Sequence, residues 1–370
     1  MAFGCTFIMS LFGSGMGFTQ PMLRRNVALA FGLLAGGALW TLIANITKAK
    51  PGRSHAQTRA SSTVAKDEPQ SNKHIIASQV AGMQAAYSAM RDDFLQHGLD
   101  MAALSVMRPY FHGLTEPGGL PWPKQYSQFE PPLPPSSVRL LVIPFEDQPS
   151  LASLAAGITQ QVAALLPPST QVFVNARTQY HCTVFHTSHP LDPRPNPLAP
   201  DGGLSGAEQQ PDPGHPGGAG AAAGLLPPPP SLRGPTAAEL AAEAEAMAAC
   251  VAAAQRPLLQ LDRVVLARSG TLLMTWRDET GAVTGLRQAL RRTFPGACAK
   301  QANIIHTSLL RILGPAQLPR ETIAAIVALC DKLTAKLAHH TQLAPSALWF
   351  IDEMEFSTVV GDKRLLRLHE

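Results

Sequence analysis

Two histidines, His181 and His306, are each followed two positions later by a hydroxyl residue, giving His181-Cys182-Thr183 and His306-Thr307-Ser308. Each triplet lies in an apolar run that reads as a β-strand. Residues two apart in a strand point the same way. His181 therefore shares a face with Thr183, and His306 with Ser308. Strands lying side by side would bring two imidazoles and two hydroxyls to one cleft. That set suits displacement at phosphorus without a metal. One imidazole removes a proton from the attacking oxygen and the other protonates the leaving oxygen. The hydroxyls hold the nonbridging oxygens as charge builds.

The elements that must position these residues can be read from the hydrophobic pattern. Val138–Ile143, 171–175, 179–185, 258–267, 272–276 and 303–313 read as strands, with 347–354 and 364–368 finishing the sheets. Leu151, Leu154, Ile158, Val162 and Leu165 mark one helix. Ala237–Ala254, the stripe Val283, Leu286, Leu290 and Phe294, and the stripe Ile323 to Leu337 mark three more. Strands and helices mix without strict βαβ alternation. Each half holds strands, a helix and one His-x-hydroxyl strand, which predicts an α+β domain with two similar lobes.

The stretches YHCTVFHTSHPLDPRPNP (180–197) and NIIHTSLLRIL (303–313) make the sequence resemble the two-histidine phosphoesterase superfamily. Within it, the chain is most similar to plant and algal proteins described as RNA ligase/cyclic nucleotide phosphodiesterase family proteins. The resemblance covers roughly 138–370. It implies a bilobal α+β fold with two antiparallel sheets around a central groove. It also implies metal-independent hydrolysis of a cyclic phosphodiester, a 2′,3′-cyclic nucleotide or RNA end, with no cofactor. His181 and His306 carry over as catalytic residues, and Thr183 and Ser308 as substrate-binding ones. The second motif has Ser where Thr is commoner. The long insertion after the first motif departs from the compact pattern. Which histidine is acid and which is base stays open, as does the regiochemistry of ring opening.

Neighbouring residues receive plainer readings. His186 is five steps from His181, so a regular strand puts it on the opposite face, and His186 and His189 read as surface or supporting residues. The same parity sends Arg311 away from His306. Arg287, Arg291 and Arg292 read as a wet basic helix face. Trp276, Trp349, Tyr180 and Phe185 read as core, and Cys182 as a small buried residue. A zinc site built from His181, His186, His189 and Cys182 would need ligands from both strand faces, so no metal is expected.

Of 370 residues, 45% are hydrophobic, enough for a core and against wholesale disorder. The five cysteines are scattered with no CxxC pair, which excludes a disulfide scaffold. The net charge of +4 is uneven. Residues 1–66 hold seven basic side chains and no acidic one, leaving 23 basic against 26 acidic in the remainder. A broad footprint for long nucleic acid is thus not expected, whereas a small phosphorylated ligand or an RNA end is compatible.

The organisation follows. Residues 1–26 read as a leader. Val27–Ile46, 20 residues without a charge, read as a single transmembrane span or signal anchor, with a removed targeting segment as the alternative. Residues 47–72 read as a linker and 73–137 as a juxtamembrane helix followed by irregular chain. Within 138–370, residues 190–235 hold 13 Pro and 9 Gly and read as a disordered insertion. The stripe Ile76, Val80, Met83, Tyr87, Met90 and Phe94 predicts a helix packed on the main domain, or else a weakly self-associating stalk. Two further functions stay open: a noncatalytic nucleotide- or RNA-binding module on the same fold, and a membrane scaffold.

Overall fold

The computed structural model describes residues 68–115, 119–204 and 233–368. The leader, the apolar segment Val27–Ile46 and most of the linker lie outside them. Among the described residues no helix is long and apolar enough to cross a membrane.

The described chain runs α1 (Glu68–His97), α2 (Met101–Met107), β1 (Phe111–His112), β2 (Trp122–Pro123), β3 (Arg139–Pro144), α3 (Pro149–Ala163), β4 (Gln171–Val174) and β5 (His181–Ser188). It continues as α4 (Ala237–Ala252), β6 (Leu259–Leu266), β7 (Thr271–Asp278), α5 (Ala282–Thr293), β8 (His306–Gly314), α6 (Arg320–Leu337), β9 (Gln342–Leu343), β10 (Ala347–Glu353) and β11 (Gly361–Arg367). β1 and β2 pair as a small ribbon; of the two larger sheets, one has the order β11-β10-β3-β5 and the other β4-β8-β7-β6-β9. Every pairing in both is antiparallel. The class is therefore mixed α and β with two antiparallel sheets. β5, the edge strand of the first sheet, runs beside β8 of the second.

The alternation of apolar residues dictates which face each strand buries. Leu141, Ile143, Leu348 and Phe350 of the first sheet join Leu261, Leu272, Met274, Trp276 and Ile312 of the second in one core under the helices. A smaller cluster, Leu140, Val142, Trp349, Ile351 and Val359, forms on the other face of the first sheet. Trp276, Tyr180, Phe185 and Cys182 are all buried, as expected of core residues.

Three features differ from the sequence reading. The first helix begins at Glu68, inside the expected linker 47–72. Its stripe is used within the domain. Phe94 is buried, and the buried Tyr87 hydroxyl accepts a hydrogen bond from the Ile305 N–H (3.2 Å) and faces the carbonyls of Trp276 (3.1 Å) and Ile305 (3.2 Å). This helix thus braces the residue that precedes His306. The expected disordered insertion 190–235 is folded over residues 190–204. There the Arg139 guanidinium donates to the Arg194 carbonyl (2.6 Å), and the Gly296 N–H to the Pro197 carbonyl (3.0 Å). Turn-forming residues lower the need for a core but do not prevent backbone hydrogen bonds to one. Residues 205–232 lie outside the described part.

The third difference is Arg287, expected on a wet face. Arg291 and Arg292 are exposed, but Arg287 is buried. Its guanidinium donates to the carbonyls of Val184 (2.9 Å), Thr183 (3.1 Å) and Ile304 (3.0 Å). The first two belong to β5, and the third lies two residues before β8. The side chain falls on the inner stripe of α5 beside Val283, Leu286 and Leu290, so charge type alone misplaces it. One buried cation thereby joins the two strands that carry the histidines. Arg287→Met should strand three buried acceptors and lower stability by about 3 kcal/mol or more, read from urea unfolding of the purified protein; an unchanged midpoint would show that the three bonds are dispensable.

Candidate active site

Where β5 meets β8, the middle residues of the two motifs touch. The Cys182 thiol lies 3.0 Å from the Thr307 hydroxyl, and the Trp276 indole N–H donates to the same hydroxyl at 3.1 Å. Both residues are buried in the core. The residues flanking them must point to the opposite side. His181, Thr183, His306 and Ser308 accordingly all keep part of their surface open. The structure brings the four expected residues to neighbouring strands on one side. Neither the Thr183 nor the Ser308 hydroxyl is engaged by another described residue. Burial raises the Cys182 thiol to about 12, which keeps it protonated and unreactive.

Two residues expected to face away also belong to this side. Each motif strand contains a β-bulge. In the β3–β5 ladder Leu141 pairs with Phe185 and Val142 with Thr183, which leaves Val184 extra. In the β7–β8 ladder Leu272 pairs with Leu310 and Leu273 with Ser308, which leaves Leu309 extra. An extra residue inverts the parity of everything after it. His186, paired with Leu140, thus returns to the face of Thr183, and Arg311, paired with Thr271, to the face of Ser308. The signal was present in the sequence: two consecutive large apolar residues, Val184-Phe185 and Leu309-Leu310, interrupt the alternation, and all four are buried.

Each bulge turns carbonyls out of its ladder, and each pair finds donors. Arg287 takes Thr183 and Val184. Asn175 takes the other pair, its side-chain amide donating to the Ser308 carbonyl (2.7 Å) and its backbone N–H to that of Leu309 (3.0 Å).

Arg311 is fixed by neutral partners. Its guanidinium donates to the Thr271 hydroxyl (3.2 Å) and the Ser357 hydroxyl (3.0 Å). Burial lowers it to about 10, against a favourable pull from Glu353, so it stays charged. Ser357 sits in a turn held at positive φ, with Ser357 at 60° and Val359 at 57°. For a β-branched residue that conformation is strained. The turn is held by Glu353, whose carboxylate accepts from the N–H groups of Thr358 (3.1 Å) and Val359 (2.9 Å) and from the Tyr126 hydroxyl. On the same side Lys363 lies 4.1 Å from the centre of the Trp349 ring.

The imidazoles differ in their bonding. The His181 Nδ1–H donates to the Gln179 carbonyl at 2.7 Å. A carbonyl only accepts, so the neutral ring presents a lone pair at Nε2. The Nδ1 atoms of His306 and His186 are buried without a partner. Crowding lowers all three: His181 to about 4, and His186 and His306 to about 3, with burial the main cause in each. The charged groups acting on the three rings are all cationic: Arg311 and Lys363 on His181, Lys300 and Arg287 on His186, and Arg311 and Arg287 on His306. The three rings therefore form a neutral set of imidazoles in a positive field.

A cavity of about 890 Å³ lies elsewhere, against β1 and β2 and lined by Arg108, His112 and Trp122 among others. It holds one imidazole, His112, 3.2 Å from the Gln128 side-chain oxygen, and its lining also includes Lys124. Neither His181 nor His306 is among its lining residues.

No protein-family model and no curated protein matches the chain. Among solved structures it is similar to a conserved protein of unknown function from Agrobacterium tumefaciens, at 12% identity and a TM-score of 0.37, covering 62% of this chain and 84% of that one.

Depressed imidazole pKa values couple acidity to stability. Between about pH 6.5, where unfolded histidines titrate, and the folded values of about 4 and about 3, the unfolded chain binds more protons than the folded one. Stability must rise with pH across that window and fall as pH drops through it. Urea midpoints should decline from pH 7 to pH 4.5, and less steeply in His306→Gln; equal slopes in the two proteins would count against burial of that ring.

Proposed function

We propose that this chain is a phosphoesterase that opens a cyclic phosphodiester, a 2′,3′-cyclic nucleotide or RNA end, to a monoester, using His181 and His306 as base and acid. The observation that carries the reading is the crossing of β5 and β8 at Cys182 and Thr307, which sets the flanking imidazoles and hydroxyls on one side of the molecule. On this reading the chain is a two-histidine phosphoesterase of bilobal form, with the groove between its two sheets.

The step runs as follows. A water oxygen attacks phosphorus while its proton passes to Nε2 of His181, the nitrogen left free by the bond to Gln179. His306 gives a proton to the departing ribose oxygen as the P–O bond breaks. One bond to phosphorus forms and one breaks, and the two histidines exchange protonation states. Thr183 and Ser308 donate to the nonbridging oxygens, and Arg311 balances the charge that gathers there. Burial by itself keeps His306 neutral. A bound phosphate anion favours the imidazolium and arms it as acid. The uniformly cationic surroundings support an anionic substrate.

With 2′,3′-cyclic AMP as the probe, His181→Ala and His306→Ala should each lower kcat by about 10²–10⁴, and Arg311→Met should lower kcat/KM. Chelator should leave the rate of the native protein unchanged. Full activity in either histidine variant defeats the assignment. Tight nucleotide binding with no product over long incubation would instead mark a binding module on this fold.

A further inference from the structure

The end of the site beyond Thr183 is built for more than the reacting phosphate. β5 is an edge strand, and its free edge at His186 is occupied by the segment that leads toward β8. The Cys298 N–H donates to the Thr187 carbonyl (3.1 Å). The Gln301 side chain clamps both backbone groups of His186, accepting from its N–H (3.1 Å) and donating to its carbonyl (2.7 Å). Lys300 lies in the chain between these two anchors, is exposed, and acts electrostatically on His186. His186 packs edge-on against His189, with ring centres 5.1 Å apart at 78°.

Every group this cluster can present suits an anion. The His189 Nδ1 accepts from the Leu191 N–H (3.1 Å), so its neutral ring carries a proton on Nε2 and offers a donor. The His186 Nδ1 is buried without a partner. Lys300 makes no ion pair among the described residues; its charge is felt first by His186 and His189. The nearby carboxylate, Asp192, is occupied by Arg194 (2.7 Å) and by the Ala299 N–H (2.7 Å). His186 thus lies on the face of Thr183 with His189 packed against it and the charge of Lys300 acting on both rings, and among the described residues Lys300 pairs with no carboxylate.

We propose that His186, His189 and Lys300 form a second anion site that receives a further phosphate of the substrate, so that the preferred substrate is a nucleoside cyclic phosphate also phosphorylated on its 5′ side. This rests on the phosphoesterase reading above. His186 reaches the groove only because of the Val184 bulge, so the site exists by the same backbone device that completes the reaction centre. The field is screened by salt, which makes the preference strongest at low ionic strength.

The experiment compares two probes on the purified full-length protein: adenosine 2′,3′-cyclic phosphate and the same molecule carrying a 5′-phosphate. Turnover and calorimetric affinity are measured for both, in the native protein and in Lys300→Gln and His186→Asn. The 5′-phosphate should improve KM and affinity by about tenfold, and both variants should shrink that ratio toward one. Equal affinity for the two probes in the native protein overturns the second site, as does a ratio that the Lys300→Gln change leaves intact. Because the affinity ratio is read without turnover, the two failures separate. No product from either probe defeats the phosphoesterase reading, whereas turnover of both with equal KM defeats only the second site.

Discussion

A bulge in a β-ladder leaves carbonyl groups facing away from any strand, and a buried carbonyl without a donor costs about 1–3 kcal/mol. Here two bulges are buried side by side, and two residues from elsewhere in the chain answer them. Arg287 comes from α5 and takes Thr183 and Val184; Asn175 follows β4 and takes Ser308 and Leu309. Arg287 also takes the Ile304 carbonyl, which ties the two strands together. Its cost is the desolvation of a guanidinium, visible as a lowering to about 10, still high enough to keep it charged. The return of His186 and Arg311 to the face of the motif residues on β5 and β8 depends on this arrangement. Without the bulges His186 and Arg311 would face the core; without donors for the freed carbonyls the bulges would not persist there.

The same burial that secures the backbone sets the electrostatics. Imidazoles placed among packed neighbours and cations stay neutral, because both desolvation and like charge disfavour the imidazolium. The cations persist because guanidinium and ammonium groups begin far higher: Arg311 remains charged at about 10. A site of neutral rings and fixed cations lowers its energy by receiving an anion, and the anion in turn makes an imidazolium affordable. Substrate binding and acid activation are then one event in the proposed reaction.

Much of this was legible in the sequence. The motif strands, the four principal helices, the core aromatics and the inward-facing Cys182 follow from period and residue type. The His-x-hydroxyl pairs identified the strands that meet. Parity beyond the motif was hidden, because a regular strand would carry its alternation through Val184-Phe185 and Leu309-Leu310. Arg287 was hidden for a related reason: its charge points to solvent, whereas its position on the apolar stripe points inward. The register shift and the tertiary acceptor are both non-local, set by a partner strand or a distant carbonyl. The Pro and Gly content of residues 190–204 likewise hid a segment held by Arg139 and Ser188, whose side chain accepts from the Arg194 N–H at 2.8 Å.

The two motif strands are alike in backbone and unlike in charge. Each has an imidazole, a core-facing middle residue, a hydroxyl, a bulge and then a polar residue returned to the groove. The returned residue is His186 on β5 and Arg311 on β8. The first imidazole is fixed through its Nδ1–H, whereas His306 has no partner at that atom. A symmetric site would bind a phosphodiester in two equivalent directions. These differences remove the equivalence: a permanent cation stands on one strand and a neutral, titratable ring on the other, and only one of the two motif imidazoles has its tautomer set by the protein. In the proposed reaction the matched positions serve as base and acid, and the residues at the ends of the motifs distinguish them.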